Sequence, residues 1–326
     1  MYVNFLKYCL LFLTAIVFFS CNAPRNNPLD PENSNNNLST IEGYVKTIKV
    51  PQTAIENAKI YWANSGIITY SNNKGYFQIA NVSGMDGWLT IEKNSYSVDS
   101  IFINFEGKKK ITENIFLNSI PVVEELQFYS ITKNKYSSPP NNQIYNLEVK
   151  AKITDVENDI DSVFFENTDL DTRKQLLYNA SSRYYENSIS LEDLNITSID
   201  VVIGKDFDIN VLDEDSKKFK IGTSNIKRII KEEILTTSPT GKDTVDSANP
   251  LLEWKRFIPG FDFKYLIEIY TDEVPAILVW QREINSTEIQ FQTSAGLSHG
   301  DYFWVIWAID EFGNRTRSKP SSFVVN

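Results

Sequence analysis

The chain has 326 residues, enough for two or three domains. Hydrophobic residues make up 42% of it and aromatic residues 13%, which is typical of a globular, strand-rich protein. Lys and Arg number 32 against 42 Asp and Glu, giving a net charge of −10. Because a protein needs a basic face to bind along a nucleic-acid backbone, no nucleic-acid partner is expected.

The N-terminal residues 1–20 have the pattern of a signal peptide. Lys7 precedes an apolar run, Tyr8 to Phe19, that is shorter than the roughly 20 residues needed to span a bilayer. The sequence FFSC at 18–21 resembles the lipobox of bacterial lipoproteins, although Phe19 stands where a small residue is usual. The resemblance implies cleavage before Cys21 and attachment of lipid to its thiol. Each buried acyl methylene adds about 0.8 kcal/mol of membrane affinity.

Residues 21–39 are predicted to form the lipidated cysteine and a flexible tether, since their Asn- and Pro-rich composition cannot bury apolar surface. The sequence "NPLDPEN" resembles the segments that follow the cysteine in Bacteroidetes lipoproteins. The resemblance and Asn22 favour an outer-membrane lipoprotein, periplasmic or surface-exposed, that contacts the membrane through its lipid. The alternatives are an ordinary secreted protein and an uncleaved anchor. Cleavage would also remove Cys9 and leave no disulfide.

The rest of the chain is predicted to be all-β, with three β-sandwich domains in series. In the first, residues 40–119, five strand-like stretches begin with "IEGYVKT". Residues 73–75 are expected to form a hairpin turn that leaves Phe77 and Ile79 on one face. The patterns I-x-G-x-V and S-N-N-x-G-x-F-x-I resemble the transthyretin-like carboxypeptidase regulatory-like domains, which implies a fold and no chemistry.

The second domain, residues 120–231, contains seven strand-like runs, from "EELQFYSI" to "KFKIGTSNI". Seven short strands suit an Ig-like sandwich, and the absence of a Cys-Trp-Cys pattern separates it from antibody domains. Acidic residues are concentrated in its expected B–C and F–G loops, which would lie at one end. Hard oxygen ligands of this kind could hold a structural Ca²⁺. The candidates are Asp155, Glu157, Asp159 and Asp161 in one loop and Asp213, Glu214 and Asp215 in the other. The alternative is a pair of solvated turns.

The third domain, residues 232–326, resembles a fibronectin type III domain over its whole length. Trp254 stands at the position of that family's strand-B tryptophan. Leu297, Gly300 and Tyr302 match its L-x-x-G-x-Y tyrosine corner, in which the phenol ties a loop to the strand. The family implies a spacer or binding module without catalysis.

The register of this third domain predicts an outward apolar face. If Tyr302 points inward, period two sends Trp304, Ile306 and Ala308 inward as well. The same rule leaves a set of large side chains on the outer face of two neighbouring strands. They are Leu266, Tyr270, Phe303, Val305, Trp307 and Ile309, with Trp280 expected to join them. A face of this kind either packs within the chain or contacts an envelope protein or glycan.

Catalytic patterns are nearly absent, so no enzyme activity is expected. The only histidine, His299, lies in an expected turn, whereas a Ser-His-Asp triad needs a cleft. Zinc catalysis usually takes several His, Cys or carboxylate ligands. A carboxylate-only hydrolase stays open as a rival. We expect no cofactor apart from the candidate Ca²⁺. The sequence thus predicts a lipid-anchored, non-catalytic binding, adhesion or assembly module. The rivals are an accessory carbohydrate-binding lipoprotein, which needs a row of exposed aromatics on one face, and a spacer without ligand.

Overall fold

The computed structural model describes residues 38–326, which form two compact units divided between Ile120 and Pro121. The regular secondary structure of the described chain is almost entirely β-strand, and its one short helix is a 3-10 turn at Ile199–Val202. The all-β fold class with sandwich-like sheets is confirmed. Its elements follow from strand-forming residues that alternate between buried and exposed positions.

The first unit is a sandwich of two sheets. Its strands are β1 (Leu38–Thr47), β2 (Lys59–Trp62), β3 (Ile67–Tyr70), β4 (Tyr76–Ser83), β5 (Gly87–Glu92), β6 (Asp99–Ile103) and β7 (Lys110–Leu117). One sheet has the order β4-β1-β7 and the other the order β3-β2-β5-β6. The core between them contains Trp62, whose ring meets Phe105 edge to face with centroids 6.2 Å apart. Each sheet therefore has one face on the core and an opposite, outer face.

For this unit, one sequence-based expectation is wrong and one strand was not predicted. The turn at residues 73–75 does not join a hairpin, because β3 pairs with β2 whereas β4 pairs with β1 in the other sheet. Gly75 does adopt a positive φ of 75°, and Phe77 and Ile79 are buried on one face as predicted. Strand β7 was not predicted. It pairs in parallel with β1, so its partner lies far upstream in the chain.

The second unit begins with the seven strands that the sequence predicted between residues 120 and 231. They are β8 (Val122–Asn134), β9 (Gln143–Thr154), β10 (Ile160–Asn167), β11 (Thr172–Asn179), β12 (Tyr184–Ser190), β13 (Asp206–Asp213) and β14 (Lys218–Asn225). They are joined in the order β14-β13-β10-β11-β12-β9-β8. Phe128, Phe165 and Phe207 form an aromatic cluster in the core between the strands, with centroids 4.6 to 5.2 Å apart. This order and count are those of an Ig-like sandwich.

The remaining strands form a fibronectin type III-like sandwich. They are β15 (Thr236–Ser238), β16 (Asp243–Val245), β17 (Leu251–Trp254), β18 (Phe263–Thr271), β19 (Leu278–Asn285), β20 (Gln290–Gln292), β21 (Gly300–Asp310), β22 (Arg315–Arg317) and β23 (Ser321–Val325). One sheet is β15-β17-β20, and the other contains β19-β18-β21 with β22 and β23 along β21. Tyr265, Trp254 and Trp304 lie in the core between them.

The two sandwiches of the second unit are joined by direct strand pairing. Strand β22 pairs in parallel with β8, so the sheet continues from one sandwich into the other. Beside this pairing, the Asn314 side-chain oxygen accepts a hydrogen bond from the Ser130 backbone N–H at 2.9 Å. The buried Asp310 carboxylate lies 3.3 Å from the Arg228 guanidinium. The boundary predicted near residue 231 therefore lies inside one compact unit.

Candidate functional site

The predicted lipid attachment site, Cys21, lies outside the described residues. Within residues 38–326, no helix has the length and apolar character needed to cross a membrane.

The fibronectin-like positions predicted from the sequence are found in the structure. Trp254 is buried against Tyr265, with ring centroids 5.4 Å apart. The Tyr302 phenol donates a hydrogen bond to the Ser298 carbonyl at 3.1 Å, which is the tyrosine-corner contact. His299 is exposed in the turn between them. The inward register is confirmed, since Tyr302 and Trp304 are both in the core.

The outward face predicted beside that core is not an exposed apolar surface. Val305 and Ile309 are buried, and the other side chains expected there are all partly buried, with none of them exposed. Strand β22 folds back along β21 and brings Arg317 to within 5.8 Å of the Trp307 ring centroid. Strand β22 has no apolar pattern of its own and is not predicted from the sequence. The covering of Trp307 by Arg317 is therefore not predicted either.

Glu268 organises the rest of that outward face. Its Oε2 accepts hydrogen bonds at 2.8 Å from both the Trp307 indole and the Tyr270 phenol. Tyr270 stacks on Phe303 with centroids 5.2 Å apart, while burial and then the hydrogen bond to Glu268 raise the pKa of Tyr270 to about 12. Glu268, Tyr270, Phe303 and Trp307 thus form a hydrogen-bonded and stacked cluster within the unit, which we call the Glu268 cluster. Its three aromatic residues, Tyr270, Phe303 and Trp307, belong to the partner face predicted from the sequence, and that role stays a prediction.

The expected position of Trp280 on the same face is wrong. Trp280 is the cross-strand partner of Ile269, which points into the core. Since directly paired residues lie on the same face of a sheet, Trp280 faces inward. There its ring meets Phe291 of the opposite sheet with centroids 6.0 Å apart.

The acidic loops of the Ig-like sandwich lie side by side, as predicted. The Glu214 N–H donates to the Asp159 carbonyl at 2.9 Å, joining the β13–β14 loop to the β9–β10 loop. Asp155, Glu157 and Asp159 each offer a carboxylate oxygen, and these oxygens lie within 4.8 Å of one another. Oxygens that bind one Ca²⁺ at about 2.3–2.6 Å are at most about 5 Å apart, so this trio has suitable spacing.

The other candidate calcium ligands lie outside this trio. Asp213 Oδ1 accepts a hydrogen bond from the Lys217 N–H at 2.7 Å and so shapes its own turn. Asp161 and Asp215 are exposed. The calcium prediction therefore narrows to three carboxylates of one loop.

A different exposed apolar surface lies on the first unit and was not predicted. It is the outer face of the four-stranded sheet, and we call it the aromatic face. Its large side chains, with the exposed fraction of each, are Tyr61 (37%), Ile68 (49%), Tyr70 (59%), Trp88 (53%) and Phe102 (55%). The registers place all five on one side, since Tyr61 pairs with Ile68 and Trp88 pairs with Phe102. Isolated exposed apolar residues are ordinary, but a contiguous group usually marks a contact site.

Polar side chains cross the same face between the aromatic ones. Thr90 and Ser100 are paired at its centre, and the Ser100 hydroxyl donates to the Thr90 hydroxyl at 3.1 Å. At one end, Lys59 Nζ lies 2.9 Å from Glu92 Oε2. The face is therefore a mixture of rings, hydroxyls and one ion pair.

Local structure fixes the position of Trp88. Strand β5 begins at Gly87, where an added Cβ would lie 2.5 Å from the Asn64 side-chain amide. That amide donates to the Asp86 carbonyl at 2.7 Å and closes the preceding loop. Leu89 is then fully buried and Trp88 must point outward, because neighbouring residues of a strand alternate.

A groove of about 430 Å³ adjoins the Lys59 end of the aromatic face. Five of its seven lining residues are polar or charged, and the other two are an exposed aromatic and an exposed apolar side chain. The lining residues are Asn57, Lys59, Tyr70, Glu92, Lys93, Asn94 and Val98. Tyr70, Lys59 and Glu92 belong to both the groove and the face, so the two form one continuous surface.

The sequence did contain a signal for this face. In "KIYW", "GWLTIE" and "DSIFI", the residues that alternate with core positions are themselves often aromatic. A soluble sandwich normally has polar residues there. These stretches are predicted from the sequence only as strands, without a comparison of their two faces.

Comparisons with known proteins find no matching protein-family model and no curated protein significantly similar in sequence. Solved structures that align include chicken CNTN1 FN1–FN3 domains, at 9% identity over 82% of this chain and 90% of that one, with a TM-score of 0.32. Fibronectin(III)-like modules of Clostridium thermocellum CbhA align at 10% identity over 63% and 93%, with a TM-score of 0.29. The Bacillus anthracis TIE protein aligns with 89% of this chain at 11% identity and a TM-score of 0.24, and the chain spans about half (48%) of that protein.

Proposed function

We propose that this chain is a lipid-anchored cell-envelope protein that acts without catalysis, binding a partner through the aromatic face of its first unit. Adhesion and assembly are both forms of this function. The membrane is its other partner, reached through lipid on Cys21. The outer membrane is the expected location.

The observation that carries the proposal is the aromatic face itself. Five large side chains from four strands are exposed on one side of one sheet, each at 37% or more. Removing apolar area from water is favourable by about 25 cal/mol of transfer free energy for each Å² that a partner covers. The Glu268 cluster offers no comparable surface, since its aromatic members are largely covered and are hydrogen-bonded or stacked within the unit.

The absence of a catalytic role rests on the chemistry of the described side chains. His299 is exposed in a turn, and the polar groups on the aromatic face and in its groove are hydroxyls, amides, one closed ion pair and Lys93. A general acid or base normally has its pKa tuned by burial or by a nearby charge within a cleft. The face is open, so it suits contact rather than proton transfer.

The anchor and the contact surface can be tested in the same cells. Metabolic labelling with a fatty-acid analogue is expected to mark the wild-type chain and not Cys21→Ser. A photo-crosslinking amino acid placed at Phe102 is expected to form adducts on intact cells. The same group at Tyr136, which is 71% exposed on the second unit, is the control and is expected to form none. Equal labelling of Cys21→Ser would remove the anchor. No adduct from Phe102 would remove the contact surface.

A further inference from the structure

We infer that the aromatic face, together with its adjoining groove, binds an uncharged glycan chain. This inference rests on the proposed function, because it names the ligand of the same surface. Four features support it: the alternation of rings and hydroxyls on the face, the accessibility of the rings, the charge of the face, and the groove at one end.

The first observation is the composition of the face. The fully buried centre of a protein–protein interface is mostly apolar and depleted of charge. Here the centre of the face is the hydroxyl pair of Thr90 and Ser100, with Trp88 and Phe102 on one side and Tyr61 beside them. A sugar ring presents C–H groups on its faces and hydroxyls around its edge. A chain of sugars can therefore stack on the rings and hydrogen-bond to the hydroxyls between them.

The second observation is the accessibility of the rings. Trp88 and Phe102 meet edge to face, with centroids 5.4 Å apart and an interplanar angle of 71°. Both keep more than half of their area in solvent. Because the two rings meet edge to face, neither covers the face of the other completely. A ligand can therefore pack against the exposed ring surface without any rearrangement of the strand backbone.

The third observation is the charge. The chain as a whole is strongly acidic, at −10, so an anionic polymer is repelled at long range. On the face, Lys59 and Glu92 neutralise each other, and their hydrogen bond raises the pKa of Lys59. The face itself therefore offers no net positive charge, and the groove adds the single cation Lys93, whereas a sulfated glycan or an acidic lipid surface is bound by clusters of cations. An uncharged ligand matches this face.

The fourth observation is the groove at the Lys59 end. Its volume of about 430 Å³ lies within the range of about 300–1,000 Å³ common for small-ligand sites. Asn57 and Asn94 contribute amides, and Tyr70 contributes a ring that is shared with the face. A glycan that crosses the sheet can place one sugar in this groove, where side chains can distinguish its hydroxyls.

Affinity electrophoresis of the full chain in detergent tests the inference. Native gels would contain hydroxyethyl cellulose, xylan, mannan or soluble starch, each in turn. We expect at least one of these uncharged polysaccharides to retard the wild-type chain. Trp88→Ala combined with Phe102→Ala should weaken that retardation at least tenfold. Tyr136→Ala and Tyr178→Ala, which remove exposed rings from the second unit, should leave it unchanged. High salt should have little effect, since no ion pair with the ligand is formed.

Several results would overturn the inference. They are no retardation in any of the four gels, equal retardation of the double variant, and retardation that occurs only with an anionic polysaccharide such as polygalacturonate. Circular dichroism of each variant checks that it is folded, and the single variant Trp88→Ala is used if the double variant is not. An unretarded wild-type chain whose Phe102 crosslinks to a protein on cells would contradict the glycan and leave the proposed function standing. No crosslink would remove both.

Discussion

Glu268 accepts two hydrogen bonds from aromatic side chains on the outward face of the fibronectin-like sandwich. Period two correctly places Glu268, Tyr270 and Trp307 on that face. Satisfied donors and a stacked ring give these side chains a structural role, because partly buried polar groups that lose their partner are costly. The aromatic face of the first unit has similar residue types, but no described strand of that unit covers them. The two faces therefore differ in exposure and not in residue type.

Trp307→Ala is expected to destabilise the chain by about 2 kcal/mol, less than the 3–5 kcal/mol typical of a fully buried tryptophan. The variant removes a half-buried ring and leaves Glu268 with one fewer donor. Chemical denaturation followed by circular dichroism measures the change. Trp304→Ala, which removes a fully buried ring, is the upper reference. A free energy of unfolding equal to that of the wild type would instead favour a partner role for Trp307.

At the scale of the element, strand β1 is central to the first unit because it pairs with β4 on one side and β7 on the other. Gly43 permits this close packing. A Cβ built there would lie 1.7 Å from the Glu113 backbone oxygen, so a side chain cannot be accommodated without displacing β7. The glycine of the I-x-G-x-V pattern is thus required by the sheet.

Gly43→Ala is expected to destabilise the first unit by about 2–3 kcal/mol, in the upper part of the range for overpacked sites. Gly222→Ala is the matched control, since its added Cβ would make contacts of 3.7 Å or longer, which are ordinary. It should change stability by no more than about 0.5 kcal/mol. Thermal melting of both variants measures the difference. Equal melting curves would show that β7 can shift without cost.

The loop that contains Asp155, Glu157 and Asp159 gives a calcium prediction. If Ca²⁺ binds the folded loop, added Ca²⁺ should raise the melting temperature of the second unit and EDTA should reverse the rise. Glu157→Gln should abolish the response. Asp169→Asn removes an exposed carboxylate elsewhere in the same sandwich and should retain it. A melting curve that is the same in millimolar Ca²⁺ and in EDTA would leave only the solvated-turn interpretation.

The alternation of apolar and polar residues made many of the strands predictable from the sequence. The seven strands of the Ig-like sandwich and the core register of β21 follow from alternation alone. Strands β7 and β22 do not, for a physical reason. Both pair in parallel with strands far away in sequence, and β22 is a three-residue strand held by pairing to β8 and β21. Local pattern has no information about such partners, so the cover over Trp307 could not be foreseen.

At the scale of the molecule, the described chain consists of two compact units with different surfaces. The second unit covers its large outward side chains on β18 and β21 at least partly, and Val305 and Ile309 are buried. The first unit leaves five on one sheet face. Under the proposed function, lipid holds the chain at the membrane and the aromatic face binds the partner.

Oxidative footprinting of Trp88 tests whether the aromatic face binds a partner on the cell. Among the six tryptophans of the chain, Trp88 is the one that is exposed. Hydroxyl radicals should therefore oxidise it readily in the purified chain, whereas on intact cells the partner should protect it several-fold. Tyr136, exposed on the second unit, should be oxidised equally in both settings. Protection of Trp88 alone is expected if the aromatic face binds a partner on the cell. Equal oxidation of Trp88 in the purified chain and on cells would contradict it.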